Sequence, residues 1–100
     1  MIRHVSVLTF ADGVTDAQVA AIERALAPLP QRLAMESYAF GRDLGLNPGN
    51  AHFGVVADFA TVADYETYRD DPEHRRILAE LIKPVLANRT TFQYEIATTM

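Results

Sequence analysis

The sequence has no cysteine among its 100 residues, and it has no apolar run long enough to cross a membrane. Without cysteine the chain cannot form a disulfide-stapled scaffold, a thiolate metal site or a cysteine nucleophile. A membrane helix needs about 20 consecutive apolar residues, so we predict no membrane partner. The first five residues have the composition of a strand and lack the plan of a signal peptide, which leads us to expect a cytoplasmic protein.

Positive charge is also scarce. Nine lysines and arginines stand against 13 aspartates and glutamates, for a formal net charge of −4. The basic residues run from Arg3 to Arg89 without a cluster, whereas a nucleic-acid-binding surface needs a basic stripe, so we predict no nucleic acid partner. The three histidines, at positions 4, 52 and 74, form no close pair, and no glycine-rich phosphate loop precedes a helix. We therefore expect neither a metal nor a cofactor.

What the chain does contain is enough apolar material for one core. Hydrophobic residues make up 49% of the sequence and charged residues 22%, a balance that is typical of a folded globular chain and excludes disorder. A length of 100 residues corresponds to one domain, and we predict that this domain spans residues 1–100.

Strand patterns alternate with helical ones along the chain. A first helix begins at Thr15, which has the spacing of a capping box with Gln18, and it ends near Pro28 because proline has no N–H to donate. Four other segments have the β-branched and apolar composition of strands and contain no proline. These predicted strands cover residues 2–10, 33–44, 51–59 and 90–98.

The second helical region is predicted to be broken in two. It begins at Thr61 and is interrupted before Pro72, which is favourable only as the first residue of a new helical segment. Asp71 is then the N-terminal cap of that segment. Pro84 kinks or ends the segment, and Asn88 is its predicted C-terminal cap.

The resulting order, β-α-β-β-α-α-β, predicts an α+β protein with a ferredoxin-like fold and a four-stranded antiparallel sheet. Helices cover one face of such a sheet and leave the other face bare. A bare apolar face is unusual on a monomer, so we predict a homodimer that packs through the open sheet face and forms a dimeric α+β barrel. The apolar residues predicted on that face are Val5, Val7, Met35, Ala39 and Val56.

One cross-strand register follows from the same topology. The first and third strands are antiparallel neighbours in this fold. If Val5 faces Val56, then Arg3 faces Asp58, because both pairs keep the same register. We therefore predict an ion pair between Arg3 and Asp58 near the dimer face.

Several motifs are spread over nearly the whole chain. The most specific is the segment 68–74, which has the pattern Tyr-x-x-x-Pro-x-His. The others are Ile2-Arg3-His4-Val5, Phe40-Gly41-Arg42-Asp43-Leu44-Gly45, Val56-Ala57-Asp58-Phe59 and Lys83-Pro84-Val85-Leu86. Together these motifs resemble those of the stress-responsive A/B barrel family, also called Dabb, and the first looks like the signature of that family. The resemblance implies the dimeric α+β barrel that the periodicity also predicts.

The resemblance also implies a candidate site. Most bacterial members of the family have no assigned reaction, but one plant branch consists of polyketide cyclases of the olivetolic acid cyclase type. These cyclases perform an intramolecular aldol condensation without a metal or cofactor, and their catalytic pair is similar to Tyr68 and His74. The pocket of that branch lies between sheet and helices. The wall positions carried over to this chain are His4, Ser6, Leu8, Val55 and Gln93.

Each candidate residue has a structural interpretation beside the functional one. A neutral imidazole at His74 can abstract a proton next to a carbonyl, or it can simply hydrogen-bond near the start of its helix. The hydroxyl of Tyr68 can donate to an enolate oxygen, or Tyr68 can fill the core together with Tyr65.

Three polar side chains are predicted on the sheet face below the helices: His4, Ser6 and Gln93. Polar groups on an otherwise apolar wall are typical of a ligand cavity. Gln93 departs from the cyclase branch, whose members tend to carry an acidic residue there. A carboxylate stabilises a protonated histidine, whereas a glutamine can orient a histidine but adds no charge.

The leading hypothesis is a cytoplasmic homodimer that binds a small, largely apolar, carbonyl-bearing molecule between sheet and helices. Polyketide-cyclase-like chemistry would then use His74 as base and Tyr68 as hydrogen-bond donor. Two alternatives remain open: a cofactor-free monooxygenase, which rests on the fold alone, and a non-catalytic stress-response or interaction protein whose cavity is filled by its own side chains.

Overall fold

Four β-strands and three α-helices form within residues 1–97, the part of the chain that this computed structural model describes. A 3-10 turn follows the first helix, and a π-helical turn and a second 3-10 turn connect the last helix to the last strand. In chain order the elements are β1 (Ile2–Phe10), α1 (Asp16–Leu26), β2 (Ser37–Arg42), β3 (Phe53–Phe59), α2 (Val62–Asp70), α3 (Pro72–Ile77) and β4 (Leu86–Glu95).

The strands form one antiparallel sheet in the order β2-β3-β1-β4. This confirms the predicted ferredoxin-like α+β fold. From Arg3 to Phe10 in β1, side chains on one face are buried, whereas those on the other face are half-buried, because successive side chains of a strand point to opposite faces. The helices therefore cover only the face that carries His4, Ser6 and Leu8.

The three helices begin at the residues that the sequence predicts. Thr15 and Gln18 form a complete capping box at α1. The hydroxyl of Thr61 accepts a hydrogen bond from the backbone N–H of Asp64 at the start of α2. Side-chain acceptors at these positions satisfy N–H groups that have no partner inside the helix. At α3, Asp71 is the cap and Pro72 occupies the first turn, also as predicted.

The core lies between the helices and the covered sheet face. Its largest fully buried side chains come from β1, α1, β3, α3 and the turn after α1. Each such side chain stabilises the fold by about 1.5–3 kcal/mol relative to leaving it in water. They are Leu8, Ile22, Leu29, Phe59 and Ile77.

The second and third strands are shorter than predicted, and the assignment of Met35 to the bare sheet face was wrong. β3 begins at Phe53 and β2 at Ser37. β2 begins late because the chain before it is still turning, with the backbone N–H of Leu33 bonded to the carbonyl of Leu29. Met35 therefore precedes the strand and packs against the core cluster, and it does not lie on the bare face.

The prediction that Asn88 caps a helix was also wrong. The helical region ends at Val85, and Asn88 lies in β4, opposite Thr9. β4 pairs with β1 as far as the end of β1. Just beyond that end, the backbone N–H of Ala11 bonds to the carbonyl of Val85 at 2.8 Å. β4 therefore begins earlier than the predicted residue 90, and the predicted strand end at Thr98 lies outside the described residues.

The uncovered sheet face has the predicted register. Val5 pairs with Val56, and Arg3 pairs with Asp58. The guanidinium of Arg3 donates two hydrogen bonds to the Asp58 carboxylate, at 2.8 and 2.9 Å. The predicted ion pair is thus confirmed. Phe92, the partner of Val5 on β4, adds a half-exposed ring to the same face.

Candidate functional site

A cavity of about 160 Å³ lies between the sheet and the helices. Side chains from α1, β1, β3, α2, α3, β4 and the segment after α3 line it. The lining residues are His4, Ser6, Leu8, Leu26, Val55, Tyr65, Tyr68, Arg69, His74, Leu78, Ile82, Arg89 and Thr91. Six of the seven residues that the sequence nominates therefore share one cavity.

The sheet places four of these six residues. His4, Ser6 and Leu8 alternate along β1, so their side chains point to the same face, and all three are buried. Val55 lies directly opposite Ser6 on β3. This wall is apolar except for one imidazole and one hydroxyl, a composition that is typical of small-molecule sites.

The break between α2 and α3 places the other two residues. Tyr68 is in the last turn of α2, and His74 is in the first turn of α3. Their ring centroids are 4.1 Å apart with the planes inclined by 34°. The backbone N–H of His74 donates to the Asp71 carboxylate at 2.9 Å. The cap that begins α3 therefore also fixes the position of His74 at the cavity.

The contacts of His74 define its proton arrangement. Its Nδ1 lies 3.3 Å from the carbonyl oxygen of Arg69. Since a carbonyl only accepts, Nδ1 carries the proton and Nε2 carries the lone pair. Burial lowers the pKa of His74 below its usual value, so the imidazole is neutral at neutral pH. Such a group can accept a proton from a bound molecule.

His4 has the opposite arrangement. The side-chain amide of Gln93 donates to Nδ1 of His4 at 2.9 Å, so the ring proton of a neutral His4 is on Nε2. Burial, and to a smaller extent the electrostatic influence of His74 and Arg89, lowers the pKa of His4 to about 4. His4 is therefore a neutral N–H donor. Gln93 does not line the cavity, and it acts on the site through His4.

Neither Nε2 atom is fully enclosed by protein. Within residues 1–97 every fully buried side-chain nitrogen or oxygen has a hydrogen-bond partner. The two Nε2 atoms have no partner in that part of the chain, so each must be reachable by solvent or ligand. The site thus offers one acceptor, on His74, and one donor, on His4.

Tyr68 belongs to both the cavity wall and the core. It is only 3% exposed, and its ring packs against Phe59 with centroids 5.3 Å apart. Its hydroxyl lies 3.4 Å from that of Tyr38. Burial raises the pKa of Tyr68 well above its usual value, so the phenol stays protonated and can donate a hydrogen bond.

Four polar residues of this cavity are not among those predicted from the sequence: Tyr65, Arg69, Arg89 and Thr91. Tyr65 was interpreted as core filling, yet it lines the cavity, with its ring centroid 5.2 Å from that of His4. Arg89 was not nominated at all. It pairs with Leu8 across the β1–β4 ladder, so an alignment of these two strands would have placed it on the cavity side.

The remaining histidine lies apart from the cavity. His52 is exposed at the edge before β3, and its Nδ1 accepts a hydrogen bond from the backbone N–H of Phe10 at 2.9 Å. Residues 1–97 hold no group of three side chains suited to binding a metal ion. No helix in the same range is both long and apolar enough to cross a membrane.

Comparison with known proteins identifies relatives of this chain. The family model described as Stress responsive A/B Barrel Domain matches residues 2–96. A dimeric ferredoxin-like protein of unknown function from Thermobifida fusca is 42% identical, with a TM-score of 0.88. The match covers 95% of this chain and 90% of that one. No curated protein matches the chain.

Two more distant structures share the fold. A hydroxynitrile lyase from Passiflora edulis is 19% identical with a TM-score of 0.83, and the match covers 99% of this chain and 95% of that one. An antibiotic biosynthesis monooxygenase is 14% identical with a TM-score of 0.80, covering 98% of this chain and 100% of that one. At these identities the similarity establishes the fold and not the reaction.

Proposed function

The chain belongs to the family of stress responsive A/B barrel domains, and we propose that it binds a small, largely apolar, carbonyl-bearing molecule between sheet and helices. The carrying observation is the cavity itself: His74 and His4 both line it, and the Nδ1 contact of each ring leaves Nε2 as an acceptor on His74 and as an N–H donor on His4. A space of about 160 Å³ beside His74 favours ligand binding over the alternative of a core filled by its own side chains.

This arrangement suits proton abstraction next to a carbonyl. Nε2 of His74 takes a proton from the carbon beside the carbonyl, and the C–H electron pair moves to form an enolate. Hydrogen-bond donors stabilise the enolate oxygen, and the candidate donors are Nε2–H of His4 and the hydroxyl of Tyr68. In a cyclase-like reaction the enolate carbon attacks a second carbonyl of the same molecule, and the alkoxide formed takes the proton back from His74.

Gln93 does not weaken the base in this proposal. Its amide bonds to His4, whereas Nδ1 of His74 bonds to the Arg69 carbonyl. A carboxylate at position 93 would act on the donor histidine rather than on the base. The neutral amide keeps Nδ1 of His4 as an acceptor and thereby keeps the proton on Nε2, where a ligand can use it.

We also place this activity in a cytoplasmic homodimer formed through the open sheet face. Val5, Val56 and Phe92 give that face an apolar centre, and burying such a patch stabilises association. The Thermobifida fusca relative, which is 42% identical, is described as dimeric. The lack of cysteine is compatible with a reducing compartment.

The test uses acetophenone, a single-ring ketone, in D₂O. Amide-resonance shifts at cavity residues measure binding, and the rate of deuterium incorporation into the methyl group measures proton abstraction. We expect both with the wild-type protein. His74→Gln should lower the exchange rate about 100-fold or more, as is usual on loss of a general base, while the exposed His52→Gln leaves it unchanged.

The outcomes separate binding from chemistry. Shifts at the cavity without catalysed exchange support the binding role and contradict the base role of His74. Catalysed exchange that survives in His74→Gln also contradicts that role. The absence of any shift at cavity residues contradicts the proposed ligand class.

A further inference from the structure

Arg89 connects the cavity to a second, open cleft. Its partner in the β1–β4 ladder is Leu8, and cross-strand partners point to the same face. Arg89 therefore projects toward the helices. It lines both the cavity of about 160 Å³ and an adjoining cleft of about 480 Å³. Leu78 and Ile82 also line both spaces, so the two meet at these three side chains.

The cleft has an apolar floor and a positively charged rim. Its floor is formed by Leu78, Ala79, Ile82 and Leu86, and its rim by Arg75, Lys83 and Arg89. No aspartate or glutamate lines either space. On a chain with a net charge of −4, three cations around one opening without a lining acid form a site that attracts anions.

Two of these cations are uncompensated within residues 1–97. Arg75 forms an ion pair with Asp70 at 2.8 Å, whereas Lys83 and Arg89 have no carboxylate partner in that part of the chain. The charge of Arg89 also reaches the cavity. Burial is the main cause of the lowered pKa values of His4 and His74, and Arg89 lowers both further.

We infer that the ligand is an organic carboxylate, with its apolar body in the cavity and its carboxylate on Arg89 at the junction with the cleft. A cavity of about 150 Å³ is known to hold benzene, so a body of about one ring fits. The planar guanidinium presents a fork that matches a carboxylate with two parallel hydrogen bonds. Lys83 supplies a second positive charge in the cleft.

This inference rests on the proposed function and sharpens it. A carboxylate held at Arg89 anchors one end of the ligand, so that the carbonyl in its body is oriented against His74 and His4. Positioning of this kind is one of the main contributions a binding site makes to a reaction. The preferred substrate becomes a small acid that also carries a ketone, which should bind more tightly than a neutral ketone of the same shape.

Phenylacetate and phenylacetamide test whether the site prefers a negatively charged ligand, because the two molecules have nearly the same shape and differ in charge. Titrations followed by amide-resonance shifts give both affinities. We expect phenylacetate to bind the wild-type protein at least tenfold more tightly than the amide. Arg89→Gln should remove this preference, so that the two probes bind the variant with nearly equal affinity. Arg24→Gln, at an exposed arginine of α1 that lines neither space, should change nothing.

Three results would overturn the inference in different ways. Equal binding of both probes at the cavity contradicts the carboxylate class and leaves the proposed function standing. A preference for phenylacetate that persists in Arg89→Gln contradicts the role of Arg89. If neither probe shifts any cavity resonance, both the inference and the proposed function fail.

Discussion

The carboxylate of Asp71 accepts a hydrogen bond at 2.9 Å from the backbone N–H of His74, the residue that lines the cavity. The same carboxylate pairs with Arg32 at 3.0 Å. Pro72 follows Asp71 directly and cannot continue α2 with an N–H of its own. The same short segment therefore ends α2 and fixes the position of His74, the candidate base.

Loss of this cap should weaken both stability and the site. We expect Asp71→Ala to lower the free energy of unfolding by about 1 kcal/mol, the usual effect of removing an N-terminal cap. Urea unfolding measures this change. Arg32→Gln removes the ion pair but keeps the cap, and because that pair is exposed on the arginine side its effect should be close to zero. Equal losses in the two variants would contradict the capping role.

The local parts of this fold could be predicted from the sequence because short-range spacing determines them. The hydroxyls of Thr15 and Thr61 and the carboxylate of Asp71 each cap a helix within three residues of themselves. The start of β4 could not be found in this way. It depends on where the end of β1 finds a hydrogen-bonding partner, and that is a tertiary contact between residues 11 and 85.

The residues of the candidate site also divide into those that local spacing predicts and those that depend on tertiary contacts. The alternation along β1 places His4, Ser6 and Leu8 on one wall without any knowledge of other strands. Arg89 needs the register between β1 and β4, which contains an irregularity between Thr9 and Phe10. A one-residue error in that register would turn Arg89 to the opposite face, so composition alone could not assign it.

Removing either partner of the Arg3–Asp58 ion pair on the bare face should lower the stability of the protein, but by unequal amounts. The side chain of Asp58 is 8% exposed and that of Arg3 is 37% exposed. Arg3→Gln leaves a buried carboxylate whose remaining side-chain partner is the hydroxyl of Ser37, whereas Asp58→Asn leaves a cation that water can reach. We expect Arg3→Gln to lower the urea midpoint of unfolding at pH 7 more than Asp58→Asn does.

The pH dependence provides an internal check on this pair. The guanidinium of Arg3 holds the pKa of Asp58 below its usual value. Without Arg3 that pKa moves back toward the unfolded value of about 3.9, so acidification below about pH 4 should cost Arg3→Gln less stability than it costs the wild-type protein. Unfolding midpoints that follow the same pH profile in both proteins would contradict this account.

The homodimer should depend on the apolar centre of the bare face. Phe92 is 50% exposed on the edge strand β4 and lies opposite Val5. Phe92→Asp should yield a monomer near 11.1 kDa by light scattering at micromolar concentration, while the wild-type protein has twice that mass. Val62→Asp, at an exposed position on α2, is the matched control and should remain a dimer. A monomeric wild-type protein contradicts the proposal.

The buried imidazole of His4 should make the protein sensitive to mild acid. Its pKa is about 4 in the folded state and about 6.5 when unfolded. Between these values the unfolded chain binds a proton that folded His4 does not, so stability falls as the pH is lowered from about 6.5 to 4. The loss from this residue is on the order of 3 kcal/mol, and His74, whose pKa is also lowered, adds to it.

Urea unfolding at several pH values across this range measures the effect. The free energy of unfolding should change less steeply with pH in His4→Gln than in the wild-type protein. Because the carboxylates of Asp58 and Asp71 also have lowered pKa values, their contribution is lost at lower pH and does not mask the comparison. An unchanged slope in His4→Gln would mean that His4 takes up its proton without difficulty in the folded protein.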